Sequence, residues 1–174
     1  MRIAVISYSL TGNNDALAAS IARELQAEHI RITEPRKRGW GRITLDLLLN
    51  RAPEVSPSPQ TLVQYGGLIF VAPVWMGQPA FPLRGYMKYL SSHPCDYGFA
   101  TISGGSLNPN PQLRNHLIKL TGKEPRAFVD LYISDLLPKD MKADPKAVEA
   151  YRLTEGDLRM LTEKAVGELE KSFC

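Results

Sequence analysis

Cysteine is scarce: Cys95 and Cys174 are the two among 174 residues. That argues against a disulfide framework and for a reducing, cytoplasmic setting. No apolar run approaches the about 20 residues that span a bilayer. Met1 to Ser7 carries one charge and a short apolar run that soon turns polar. It lacks the longer apolar core and small-residue cleavage site of a secretory signal and reads as a first strand. Neither sign of charge dominates. The 21 basic and 18 acidic residues leave a net charge of +3, too mild to point to nucleic acid. His29, His93 and His116 are scattered; no metal-ligand spacing and no Ser-His-Asp order is readable. Repeats, low-complexity segments and a second-domain boundary are also lacking. The composition is otherwise ordinary, 44% apolar and 22% charged, over a length that suits one domain spanning residues 1–174.

What is there alternates. Ile3-Ala4-Val5-Ile6 and Leu68-Ile69-Phe70-Val71-Ala72 are unbroken apolar runs, the pattern of strands buried on both faces. Tyr97 to Ile102 and Ala127 to Ile133 are two further strands, and His29 to Thr33 is a shorter one nearer an edge. Leu17, Ile21 and Leu25 make one face of a helix from Asp15 to about Ala27, capped by Asn13 or Asn14. Helices are also expected over Leu83 to Leu90, from about Pro111 to Leu120, and from Pro145 to about Phe173. The last is broken near Thr154-Glu155-Gly156, with Thr154 and Asp157 as caps. Residues 34–61 are less regular. A basic cluster, Arg36, Lys37, Arg38 and Arg42, precedes a short helix around Leu47 and a proline-rich connector. Five βα repeats with short loops imply a doubly wound parallel sheet covered by helices on both faces.

In such sheets ligands sit at the carboxyl ends of the strands, at the point where strand order reverses. Three loops there are unusual. Ser9-Leu10-Thr11-Gly12-Asn13-Asn14 follows the first strand and opens a helix. It combines hydroxyls, amides, N–H groups and a helix N-terminus without any Lys or Arg, a setting for a phosphate. Pro73-Val74-Trp75-Met76-Gly77 offers a flat indole, and Ser103-Gly104-Gly105 offers bare backbone.

The three loops together resemble those of the flavodoxin-like family. The first is similar to its phosphate loop, with Asn14 where a Thr is usual. The second and third look like its two flavin-ring loops. The resemblance implies a three-layer α/β/α sandwich with a five-stranded parallel sheet of order 2-1-3-4-5. It implies bound FMN, held by Ser9 to Asn14 at the phosphate and by Pro73 to Gly77 and Ser103 to Gly105 at the ring. It also implies nucleotide binding and electron transfer. The third loop carries no aromatic residue over Ser103 to Asn108, and the chain is not acidic. Both features favour an oxidoreductase with an open ring face, taking electrons from NAD(P)H to a quinone-like or other small acceptor. A carrier between protein partners is the alternative. No catalytic side chain is identified, no metal or membrane span is expected, and a homodimer is left open. The basic cluster would meet an acidic partner or a nucleotide phosphate.

Overall fold

The computed structural model describes residues 1–35, 53–104, 112–142 and 144–173. The basic cluster, the short helix expected near Leu47, Gly105 and Cys174 lie outside the described residues. Five parallel strands form the central sheet: β1 (Ile3–Ser7), β2 (Glu28–Arg31), β3 (Gly67–Val71), β6 (Asp96–Ser103) and β7 (Ala127–Tyr132). Their order is β2-β1-β3-β6-β7. The two-residue strands β4 (Val74–Trp75) and β5 (Gln78–Pro79) form a separate antiparallel hairpin. With that hairpin set aside, the order is the expected 2-1-3-4-5.

Alternation along the strands builds two cores. Ala4, Ile6, Leu68, Phe70, Tyr97 and Phe99 face helices α2 (Arg84–Ser92) and α3 (Leu113–Thr121) through Leu83, Tyr86, Met87, Leu113 and Leu117. Val5, Ile69, Val71, Ala100, Ile102, Val129 and Leu131 face α1 (Asn13–Glu24) and α5 (Glu155–Phe173) through Leu17, Ile21, Leu161, Ala165 and Leu169. Close packing of α5 depends on Gly98. A Cβ there would lie 3.0 Å from Leu169 Cδ2 and 3.1 Å from Phe173 Cε2.

Two boundaries differ from the sequence reading, while the break expected near Thr154 is present. Helix α1 starts at Asn13, and its N-cap is Gly12 at φ 94°, a left-handed backbone that suits glycine. Neither asparagine caps the helix, because tertiary partners hold both side chains. The expected loop over Val74 to Pro82 contains the β4–β5 hairpin. Its tip, Met76 at φ 52° and Gly77 at φ 75°, has the paired positive φ of a tight hairpin turn. The break before the last helix separates α4 (Pro145–Ala150) from α5. Thr154 and Asp157 exchange backbone-to-side-chain bonds there: Thr154 N–H donates to Asp157 Oδ2 at 2.9 Å, and Asp157 N–H to Thr154 Oγ1 at 3.2 Å. This reciprocal capping box stops and restarts the helix.

Candidate functional site

The loops after β1, β3 and β6 converge on one cleft of about 830 Å³ at the carboxyl end of the sheet. Leu10, Thr11, Asn14, Pro73, Val74, Trp75, Ser103 and Gly104 line it. Ser9 and Gly12 line an adjoining cleft of about 680 Å³, which shares Leu10, Thr11 and Trp75 with the first. Met76 and Gly77 sit at the hairpin tip and line neither cleft; Met76 is 84% exposed. Asn13 is buried behind the turn.

The turn is shaped for an anion by backbone more than by side chains. Gly12 N–H donates to Ser9 Oγ at 3.0 Å, which tightens the turn. The N–H groups of Asn13, Asn14 and Asp15, at the start of α1, have no hydrogen-bond partner among the described residues. Such orphan donors carry the positive end of the helix dipole, and each dipole interaction contributes about 0.3–1 kcal/mol to a bound anion when exposed. The amides of the two asparagines are engaged elsewhere. Asn13 Nδ2 donates to the Tyr151 carbonyl at 3.0 Å and its Oδ1 accepts from Leu153 N–H at 3.2 Å. Asn14 Nδ2 donates to the Ile102 carbonyl at 2.8 Å and its Oδ1 accepts from Ile102 N–H at 3.0 Å. They tie the turn to the α4–α5 junction and to the end of β6, and so fix two cleft walls relative to each other.

Beneath the turn lies a cluster that no local pattern displays. Ser7, fully buried at the end of β1, donates its hydroxyl to Asp15 Oδ1 at 2.8 Å. His29 Nε2 stands 2.8 Å from the same Ser7 oxygen. The serine proton is already committed to Asp15, so His29 Nε2 is the donor and carries its hydrogen there. Arg31 Nε donates to Asp15 Oδ1 at 2.8 Å. This grouping is structural: Ser7 is buried away from both clefts, and it sits between the acid and the imidazole instead of at the end of a relay. Burial pushes the His29 pKa down, with the Asp15 carboxylate opposing and Arg31 adding to the depression. A folded pKa below the unfolded value means that the unfolded chain binds more protons between the two. The stabilisation from neutral His29 is therefore present above its ordinary value near 6.5 and is lost as pH falls through the lower folded value. Thermal melts from pH 7.5 to pH 5 are expected to show a falling Tm in the native chain and a smaller fall in His29→Gln. An identical pH slope in both would remove His29 from this role.

Trp75 is held as a rigid wall. Its ring meets Tyr8 edge-on at 5.8 Å and Phe81 at 5.7 Å, with interplanar angles of 85° and 77°. Gln78 pairs with Trp75 across the hairpin. Buried Arg84 donates to Gln78 Oε1 at 2.7 Å and lies over the Phe81 ring at 4.3 Å. One side chain thus braces both the hairpin and the aromatic stack.

A fourth wall was missed by sequence reasoning. The segment after β7 brings Ile133, Ser134, Asp135, Lys139, Lys142 and Val148 to the cleft. Ser134 N–H donates to the Gly104 carbonyl at 3.2 Å, and a Cβ on Gly104 would lie 3.0 Å from Val148 Cγ1. Glycine at 104 therefore permits α4 to close against the third loop. Lys139 and Lys142 supply the cations that the first loop lacks. The composition of 134–150, polar and without period, carries no signal for such a wall.

No family model and no curated protein matches the chain. Among solved structures it is similar to a flavoprotein in complex with FMN from Lactobacillus acidophilus NCFM, at 17% identity and TM-score 0.59, covering 78% of this chain and 95% of that one. A flavodoxin, WrbA-like protein from Agrobacterium tumefaciens matches at 19% identity and TM-score 0.53, over 99% and 97%. A flavodoxin from Streptococcus pneumonia matches at 12% and 0.55, over 98% and 99%. The chain has the flavodoxin-like fold. Among the described residues no helix is long and apolar enough to cross a membrane.

Proposed function

We propose that the chain is an FMN-dependent oxidoreductase that passes electrons from NAD(P)H to a quinone-like or other small acceptor. One observation carries this reading: the convergence of three loops on a cleft that has orphan helix N–H groups and the fixed indole of Trp75. The donor set fits the cofactor. The N–H groups of Asn13 to Asp15 with the Ser9 and Thr11 hydroxyls suit a phosphate, and Trp75 and Gly104 suit a flat ring and its edge. When bound, the flavin supplies the two-electron chemistry, and the protein supplies binding, orientation and electrostatics. Pro73, Val74, Ile133 and Val148 exclude water from an apolar part of the cleft. Lys139 and Lys142 favour anionic groups, which both FMN and a pyridine dinucleotide carry.

The reading is tested by the visible absorption spectrum of purified protein before and after anaerobic addition of NADPH. A flavin spectrum that bleaches with NADPH and recovers with a benzoquinone is expected. Bound FMN with no turnover of NADH or NADPH with any quinone would sink the enzyme reading. The carrier alternative draws on exposed Leu10 and Met76 near the clefts, 65% and 84% exposed, which offer a protein partner apolar contacts.

A further inference from the structure

Behind the third loop, the top of β6 and β7 holds a polar group in an otherwise apolar sheet. Thr101 pairs with Asp130 and Ser103 with Tyr132 across the parallel ladder. The alternate residues Ala100, Ile102, Val129 and Leu131 all pack on the α1–α5 side. Thr101, Ser103, Asp130 and Tyr132 therefore share the opposite face, above the stacked rings of Phe99 and Phe128. The Tyr132 hydroxyl donates to Asp130 Oδ2. Three oxygen atoms of this group are buried without a hydrogen-bond partner among the described residues: Asp130 Oδ1, Thr101 Oγ1 and Ser103 Oγ. Thr101 is fully buried as a residue. Buried polar atoms rarely stay unpaired, and an internal water is their usual partner. Neighbouring strands lie about 4.8 Å apart and residues two apart along a strand about 6.6 Å, a separation that one or two waters would bridge between Asp130 and Ser103. Ser103 lines the cleft.

We propose that Asp130 is a proton source for the cleft, connected to it through buried water held by Thr101 and Ser103. The proposal rests on the oxidoreductase reading above. Reduction of a quinone-like acceptor by NAD(P)H consumes one proton: the donor delivers a hydride equivalent, two electrons and one hydrogen, and the second O–H of the product needs a proton. The Asp130 O–H bond breaks and its electron pair stays on the carboxylate. The proton passes along the water and Ser103 hydroxyl, and a new O–H bond forms on the acceptor. Solvent then returns a proton to Asp130. Burial pushes the Asp130 carboxyl above its ordinary range, while the Tyr132 hydroxyl draws it partly back. Helix α3, which packs on the same side of the sheet near Phe99 and Phe128, carries Arg114, His116 and Lys119. Arg114 is turned to Glu124 at 2.8 Å and to the Phe128 ring at 6.0 Å. None of the three bonds Asp130 among the described residues, and Asp135, Lys139 and Lys142 stand beyond the strand end at the cleft. Among the described residues the carboxyl therefore has no paired cation to hold it ionised.

The test has two arms. Carbon-detected NMR of the full chain without FMN is expected to show the Asp130 carboxyl titrating above the ordinary carboxylate range; titration within that range overturns the proposal. In the FMN-bound protein, NADPH–benzoquinone turnover is expected to fall as pH rises through the Asp130 titration. Asp130→Asn is expected to remove that limb and to lower kcat by about 100-fold or more, within the about 10²–10⁴ that a positioned acid contributes. An Asp130→Asn protein with the native kcat and pH profile overturns the proposal. Thr101→Val serves if Asp130→Asn does not fold, because it breaks the water chain and leaves the carboxyl. A lowered kcat with the NMR titration kept supports the relay; a native kcat and pH profile overturns it. Failure to bind FMN at all overturns the reading of the cleft and is distinguishable from these outcomes by the absorption spectrum.

Discussion

An Asn14→Leu variant is expected to lose about 2–6 kcal/mol of stability, since it strips two buried backbone groups of their partners at about 1–3 kcal/mol each. Asn14 is 3% exposed, and its amide satisfies both the carbonyl and the N–H of Ile102. Leucine has the same number of side-chain heavy atoms but is bulkier and offers neither a donor nor an acceptor, so no cavity opens and the loss comes from hydrogen bonding with some added crowding. For a chain of this length about 1 kcal/mol corresponds to about 2–4 °C in Tm, so a fall of about 4–24 °C is expected in a thermal melt. Asn14→Thr is the informative partner. If Asn14 served the phosphate alone, a threonine hydroxyl could replace it and leave the cofactor-free protein as stable as before. If Asn14 is the latch between α1 and β6, one hydroxyl cannot serve both Ile102 groups, and the cofactor-free protein melts lower. An unchanged melt for both variants would remove the latch.

The same residue shows where sequence reading reaches its limit. The central strands were legible because β1 and β3 are buried on both faces, and continuous apolar runs advertise that. The loops were legible because glycine, hydroxyl and amide residues cluster at them. The direction of an asparagine side chain was not. Asn13 and Asn14 read as caps or phosphate ligands, yet their partners lie 138 and 88 residues away. Ser7, Asp15 and His29 likewise meet only because β1, α1 and β2 are neighbours in the fold. The β4–β5 hairpin escaped because two-residue strands have no period to detect. The wall from Ile133 to Glu149 escaped for a related reason. Its place at the cleft is set by Gly104 and by the Asn13 contacts at the α4–α5 junction, and not by any pattern within the segment. The Thr101–Asp130 pair could be suspected from sequence as two polar residues inside apolar strands, but only the register places them side by side.

Trp75→Ala is expected to raise the Kd for FMN by about 10- to 100-fold. A stacked aromatic pair contributes about 0.5–1.5 kcal/mol beyond area burial, and the covered ring face adds a contribution at about 25 cal/mol per Å². Together these reach about 1.4–2.8 kcal/mol, and each 1.4 kcal/mol is tenfold in Kd. The indole is suited to this because it is already fixed: Tyr8 and Phe81 pack against it nearly at right angles, and Arg84 with Gln78 anchors the hairpin that carries it. A ligand ring meeting a fixed wall loses little affinity to ordering that wall. Trp75→Phe keeps a flat face of smaller area and is expected to fall between the native protein and Trp75→Ala. Met76→Ala is the control. Met76 is its neighbour in the same hairpin, is 84% exposed and lines neither cleft, so its Kd is expected to stay within about twofold of the native value. Fluorescence titration with FMN gives the Kd values, and melts of the cofactor-free proteins separate lost packing from lost binding. If Trp75→Ala binds FMN as the native chain does, or if Met76→Ala weakens binding as much, the ring does not lie against Trp75.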